Sequence, residues 1–325
     1  MPARFAADFF RLDQVTRNDL HAALLLAGLG GLTAASAWLL WSWAGVLATL
    51  AGVAAIAHFA PKLPPEAVMR LYRATPLDPD QGHPIVAVVD GLAQRAKLPA
   101  APAVYVIASR TANAFAVGAP DHAVIGITQG LLRRLNLRQL TGVLAHEIAH
   151  VANNDLAVMS LADVLTRVTQ ALSYFALFYA IFNVPGLLLG DSDVSLLALL
   201  LLYLAPAAGS LLQLGLARAR EFDADRAGAS LSGDPAGLAS ALTHIERMQG
   251  TVWEDVRLPV PGRRIPVPSV LRTHPPTEER IRRLSPLEAS PLPPPLAVSE
   301  TALPALDQLL PDPRAPRLRF PGVWF

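Results

Sequence analysis

No cysteine occurs among the 325 residues. That absence excludes disulfides and removes thiolate from the possible metal ligands, so any ion must be held by histidine and carboxylate. Charge is scarce as well. Asp, Glu, Lys and Arg together make up 16% of the chain, where an ordinary soluble chain carries about 25%, and apolar residues reach 52%. That balance points to a membrane. The two signs nearly cancel, at a formal net charge of +1, so there is no basic field to hold nucleic acid. Nor is there a run of Lys and Arg interleaved with aromatics that would track a phosphate backbone.

The longest gap in charge covers residues 20–61, where no Asp, Glu, Lys or Arg occurs. It is long enough for two spans of about 20 residues joined by a tight turn. Trp38, Trp41 and Trp43 place that turn near residues 41–45, since aromatic rings collect at a membrane interface. The stretch is too long, and starts too far from the N-terminus, for a cleaved signal peptide. A second apolar pair covers 168–190 and 194–217, divided by Asp191, Ser192 and Asp193. It carries Pro185 and Pro206, which membrane helices accept. Arg4, Arg11 and Arg17 precede the first span, and Lys62, Arg70 and Arg73 follow the second. Arg167 enters the third, and Arg218, Arg220 and Arg226 leave the fourth. The excess of Lys and Arg on cytoplasmic flanks then puts both termini and the 62–167 segment in the cytoplasm.

Outside these runs the apolar spacing predicts helices over 84–98 and over 136–155, the latter capped by Asn136, and strands over 103–109 and 122–128. Two more helices are predicted over 218–228 and 235–248. Ten of the 29 prolines fall in the last 40 residues. No helix or inner strand holds that density, so the tail reads as extended and able to wrap the domain.

The chemistry lies in AHEIAH, residues 145–150. Residues four apart on a helix share a face with Cβ atoms about 5 to 6 Å apart, so His146 and His150 can converge on one ion. Glu147 lies about 100° round from His146. It is badly placed to coordinate alongside both rings but well placed to take a proton from an attacking water. A catalytic zinc needs a third protein ligand. RAREFDAD, residues 218–225, offers Glu221 and Asp225 four apart. Glu221 could be the third ligand, leaving Asp225 to accept the free N–H of a ligand histidine. The alternative is a carboxylate pair salt-bridged among Arg218, Arg220 and Arg226.

AHEIAHVANND, a hydrophobic hairpin and then ARAREFDAD together resemble the HtpX-type membrane metallopeptidases of the M48 group, relatives of the prenyl-protein peptidase Ste24. NAFAVG at 113–118 and THPPTEERI at 273–281 extend the resemblance over most of residues 20–284. It implies that His146, His150 and Glu221 bind one Zn2+, that Glu147 is the general base and that Asp225 sits behind a ligand. It also implies that His274 donates to the oxyanion while Arg280 holds that segment in place. Asn113, Ala114, Phe115 and Ala116 would form an edge strand for an extended substrate. As bare sequence, THPPTEERI is also a helix entry with Thr277 as its cap.

The expected fold is α+β and mostly helical: a zincin-like catalytic domain with a small sheet, combined with four transmembrane helices in two hairpins. Its segments are a cytoplasmic 1–19, a hairpin 20–61, catalytic parts at 62–167 and 218–284 around a hairpin 168–217, and the tail 285–325. The expected function is a zinc endopeptidase, multi-pass in a bacterial inner membrane. It would act at the cytoplasmic face on misfolded or damaged membrane proteins, with the lipid bilayer as its other partner. A zinc-stabilised scaffold would have no need of Glu147. A Ste24-like prenyl-protein peptidase would have a larger helical cage than four spans provide.

Overall fold

The computed structural model describes residues 14–59, 64–78, 84–184, 186, 195–255, 275–289, 292–296, 318–319 and 323–324. The described residues form two compact units. One comprises residues 14–59 and 157–220, the other 64–156, 221–255 and 275 onward.

The first unit holds three helices long and apolar enough to cross a membrane, over Asp19–Phe59, Asp155–Phe182 and Leu196–Ser232. These lie in α1 (Gln14–Phe59), α6 (Asp155–Phe182) and α7 (Leu196–Ser232), and the division between units falls within α6 and α7. Helix α1 is broken at Trp41 and Ser42, whose backbones are not helical; Ser42 has a φ of 56°. The break divides α1 into two arms, at the place where the tryptophans cluster. Ala22 and Leu29 of one arm and Val53 of the other bury themselves in one cluster with Ala162, Leu165 and Leu216. Pro185, expected within the third span, and the acidic turn expected at 191–193 lie outside the described residues. Helix α6 starts at Asp155, well before the expected 168, and α7 runs on to Ser232 through Pro206. Polar side chains inside this unit satisfy themselves locally. Thr33 Oγ1 donates to Leu29 O at 2.9 Å and stands 2.8 Å from Thr169 Oγ1.

The second unit is built on a four-stranded sheet. Its strands are β1 (Thr75–Pro76), β2 (Ala103–Ile107), β3 (Ala114–Ala119) and β4 (His122–Thr128), in the order β1-β2-β4-β3. β2 and β4 are parallel, and β3 pairs antiparallel with β4 through a hairpin, which leaves β3 as a sheet edge. Short α2 (Pro65–Leu71) lies near β3 and β4, with Pro65 beside Gly118 and Met69 beside Gly126. Helix α3 (Pro84–Arg95) and α5 (Leu137–Ala152) close the core. That core packs Ile85, Val88 and Leu92 of α3 against Val104 and Val106 of β2 and Ile125 and Ile127 of β4. Leu140, Leu144 and Ile148 of α5 complete it. Its driving force is burial of these aliphatic side chains, about 1.5 to 3 kcal/mol each relative to exposure.

Helix α4 (Gln129–Leu132) leads into α5, which begins on a capping box. Asn136 Oδ1 accepts from Gln139 N at 2.8 Å, and Gln139 Oε1 accepts from Asn136 N at 3.1 Å. Helix α8 (Pro235–Asp255) crosses α5 at Gly142, where a Cβ would stand 2.8 Å from Leu238 Cα. After α9 (Thr277–Leu284) a 3-10 turn covers Ser285–Ala289. Thr277 is the first helical residue and Pro276 the cap position, with no side-chain cap. That corrects the expectation for Thr277: two prolines ahead of the helix fix its entry without a hydroxyl. Of the tail, residues 292–296 have no regular secondary structure and are docked. Arg95 donates to Pro294 O and to Leu231 O, both at 2.8 Å, and Leu296 packs on the core. β5 (Leu318–Arg319) and β6 (Val323–Trp324) pair antiparallel.

Candidate metal centre

Helix α5 presents His146 and His150 one turn apart, as the spacing predicted. Their ring centroids are 4.7 Å apart and their Nε2 atoms 3.2 Å apart. From α7, Glu221 brings its carboxylate to 3.7 Å from His146 Nε2 and 3.9 Å from His150 Nε2. One ligand atom from each of the three residues lies within 4.8 Å of the others.

Each imidazole has its other nitrogen against a carboxylate. His146 Nδ1 is 3.1 Å from Asp225 Oδ1, and His150 Nδ1 is 2.8 Å from Asp155 Oδ2. A carboxylate at Nδ1 keeps the neutral ring's proton there and leaves the Nε2 lone pair facing inward. Two such lone pairs and a carboxylate aimed at one point repel one another unless a cation lies between them. The spacing fits that cation. Two nitrogens each about 2.0 to 2.1 Å from one tetrahedral ion stand roughly 3.3 Å apart.

Arg280 is the cation behind the site. Its guanidinium is buried and donates to Asp225 Oδ2 and Oδ1 at 2.7 and 2.6 Å, and stands 3.4 Å from Glu221. The neighbouring Arg283 guanidinium lies 3.5 Å over the Phe222 ring, so α9 holds α7 by two arginines. Burial alone would raise the Asp225 carboxyl, yet the hydrogen bonds and charges of Arg280 and His146 hold it below the usual range. Burial would likewise lower His150, but Asp155, Glu147 and Glu221 keep it above its ordinary value. Glu147, part-buried beside the site, is pushed up by desolvation. Ala116 N–H of β3 donates to it.

Helix α7 reaches α5 closely because Gly228 faces His146. A Cβ at 228 would stand 2.8 Å from His146 N and 2.9 Å from its Cα. Glu221, Asp225 and Gly228 recur at helical spacing, so the glycine sets how near the carboxylates come. Sequence reading missed Gly228 and Asp155; the glycine's only trace was that spacing, and the Asp's was its place beside Asn153 and Asn154.

The edge strand is sharpened by its ladder. Asn113 N donates to Thr128 Oγ1 at 2.9 Å and Thr128 N donates to Asn113 O at 3.0 Å. In an antiparallel pair the bonded residues alternate. The backbone groups of Asn113 and Phe115 therefore turn toward β4, and those of Ala114 and Ala116 turn to the free edge. His274 lies outside the described residues.

The model of Peptidase family M48 matches residues 79–288. The chain belongs to peptidase family M48. It is similar to a protease HtpX homologue of Desulfatibacillum aliphaticivorans, 34% identical over 282 residues, which cover 82% of this chain and 89% of the relative. The counterpart in Acaryochloris marina is 37% identical over 285 residues, covering 83% of this chain and 95% of the relative. Among solved structures, S. mikatae Ste24p aligns with 84% of this M48 chain and 66% of its own, at 21% identity and a TM-score of 0.46.

Proposed function

We propose that this M48 peptidase is a membrane-embedded zinc endopeptidase. It cuts peptide bonds at the cytoplasmic face of a bacterial inner membrane, and its substrates are misfolded or damaged membrane proteins. One observation carries the reading. Two imidazole Nε2 atoms 3.2 Å apart and the Glu221 carboxylate converge beside a glutamate whose carboxyl is raised.

A divalent cation held by His146, His150 and Glu221 supplies a Lewis acid that polarises a peptide carbonyl and acidifies water. Glu147 takes the proton of the attacking water and returns it to the departing amine. Its raised proton affinity suits both halves of that exchange. Asp225 and Asp155 hold the ligand rings by Nδ1, and Arg280 holds Asp225. The substrate lies extended along β3, its main chain pairing with the outward groups of Ala114 and the carbonyl of Ala116, whose N–H is engaged by Glu147. His274 donates to the oxyanion, on the resemblance of its His-Pro segment.

Four crossings follow if the break at Trp41 and Ser42 is the tip of a hairpin, since the two arms then join α6 and α7. The Lys and Arg flanks set the orientation. The sequences carrying the three ligands adjoin the ends of the apolar runs, which suits substrates drawn from the bilayer surface.

The test is to purify the wild type and Glu147→Gln in detergent, measure bound metal and incubate each with an unfolded model protein. Equal metal is expected, with hydrolysis lowered about a hundred- to ten-thousand-fold in the variant. Equal cleavage by both would remove Glu147 from the mechanism.

A further inference from the structure

Asp155 is five residues beyond His150, a spacing that should not bring the two together. On an unbroken helix it would lie about 140° round from His150, facing away. Yet its Oδ2 is 2.8 Å from His150 Nδ1, and the residue is 3% exposed. The chain achieves this by stopping and restarting. Asn153 N–H donates to Ala149 O at 2.9 Å and Asn154 N–H to Val151 O at 3.0 Å, and Asn154 takes a left-handed φ of 54°. That is a helix C-terminus closed by a left-handed residue, a place that asparagine fills readily and β-branched residues do not. The next residue, Asp155, opens α6 and turns its carboxylate back onto the ligand ring.

From this geometry we infer that Asp155 is the positioning residue for His150 and that the left-handed turn at Asn154 puts it there. The inference rests on the metal reading above. The two ligand rings are thereby held by different means. His146 is steadied from a distant part of the chain, by Asp225 with Arg280 behind it. His150 is steadied by its own helix end, so its aim depends on one backbone conformation. A carboxylate on the second nitrogen of a ligand histidine fixes the ring's tautomer and rotation and raises its basicity.

The experiment uses the full chain in detergent and measures Zn2+ affinity by chelator competition, the visible spectrum of the Co2+-loaded protein, and thermal unfolding. Asp155→Asn keeps a residue suited to a helix start and removes the charge. Its affinity is expected to fall about 10- to 100-fold with an altered Co2+ spectrum and an unchanged fold. Asn154→Gly, which accepts a positive φ, should bind as the wild type does. Asn154→Val should lose affinity to the same degree as Asp155→Asn, and the double variant should be no worse than either, since both act through one contact. Should Asp155→Asn fail to fold, the Gly and Val pair at 154 decides alone. Wild-type affinity in both Asp155→Asn and Asn154→Val would overturn the inference. A wild type that takes up no ion would instead strike the metal reading beneath it.

Discussion

The two units expose different things. In the first, many large apolar side chains are outside, with Phe59 78% exposed, Phe182 69% and Phe178 60%, while Thr33 and Thr169 are inside beside Leu29 and Leu165. In the second, Leu140, Leu144 and Ile148 are fully buried, and an ion-pair cluster of His146, Asp225 and Arg280 is buried with them. One burial rule cannot produce both. The first unit is arranged for a hydrocarbon solvent, in which outward apolar groups cost nothing and inward hydroxyls pair. The second is arranged for water, with charge admitted to the interior only where other charge or a cation answers it.

That contrast can be broken at several places. The largest effect is expected at Gly228, where a side chain would press on the backbone of the ligand His146. Gly228→Ala would drive α7 from α5 and carry Glu221 off the site, removing bound metal and activity together, as metal analysis and a peptidase assay would record. Wild-type metal content would mean that α7 does not fix the third ligand. In the first unit, Phe178→Lys puts a charge on the apolar exterior. It should cost about 2.5 to 3.5 kcal/mol of membrane insertion, measurable by a glycosylation-mapping assay. Insertion unchanged would show that this face does not meet lipid.

Acid should sharpen the contrast, because among the described residues the titrating groups whose shifts concern the chemistry are buried in the second unit. Glu147 must be ionised to accept a proton. Its carboxyl is raised, so hydrolysis is lost as pH falls through a value above the about 4.3 of a free glutamate. Protonation of the raised His150 competes with metal in the same direction. A pH profile of kcat/KM with metal content at each point checks both. The smallest effect is expected at Thr33→Val, which removes one interhelical hydrogen bond worth about 0.6 to 1.7 kcal/mol in a membrane, read as a lowered Tm in detergent.

The local pattern of this chain was decided by its sequence. The charge-free run and its tryptophans gave the apolar helices and the break at Trp41. The four-residue steps gave the facing pairs of α5 and α7, and Asn136 gave the start of α5. These depend on periodicity and capping, which act over a few residues. Periodicity also carried the 136–155 helix too far, since nothing in it marks Asn154 as left-handed. What only tertiary structure decided was which groups from distant segments share the buried site. Arg280, not an arginine beside Glu221, holds Asp225 with two hydrogen bonds, and Gly228 admits His146. The outward-turned groups of the edge strand belong to Ala114 and Ala116. The first two are contacts between segments far apart in the chain and the third is a ladder phase between paired strands, and no local propensity encodes either.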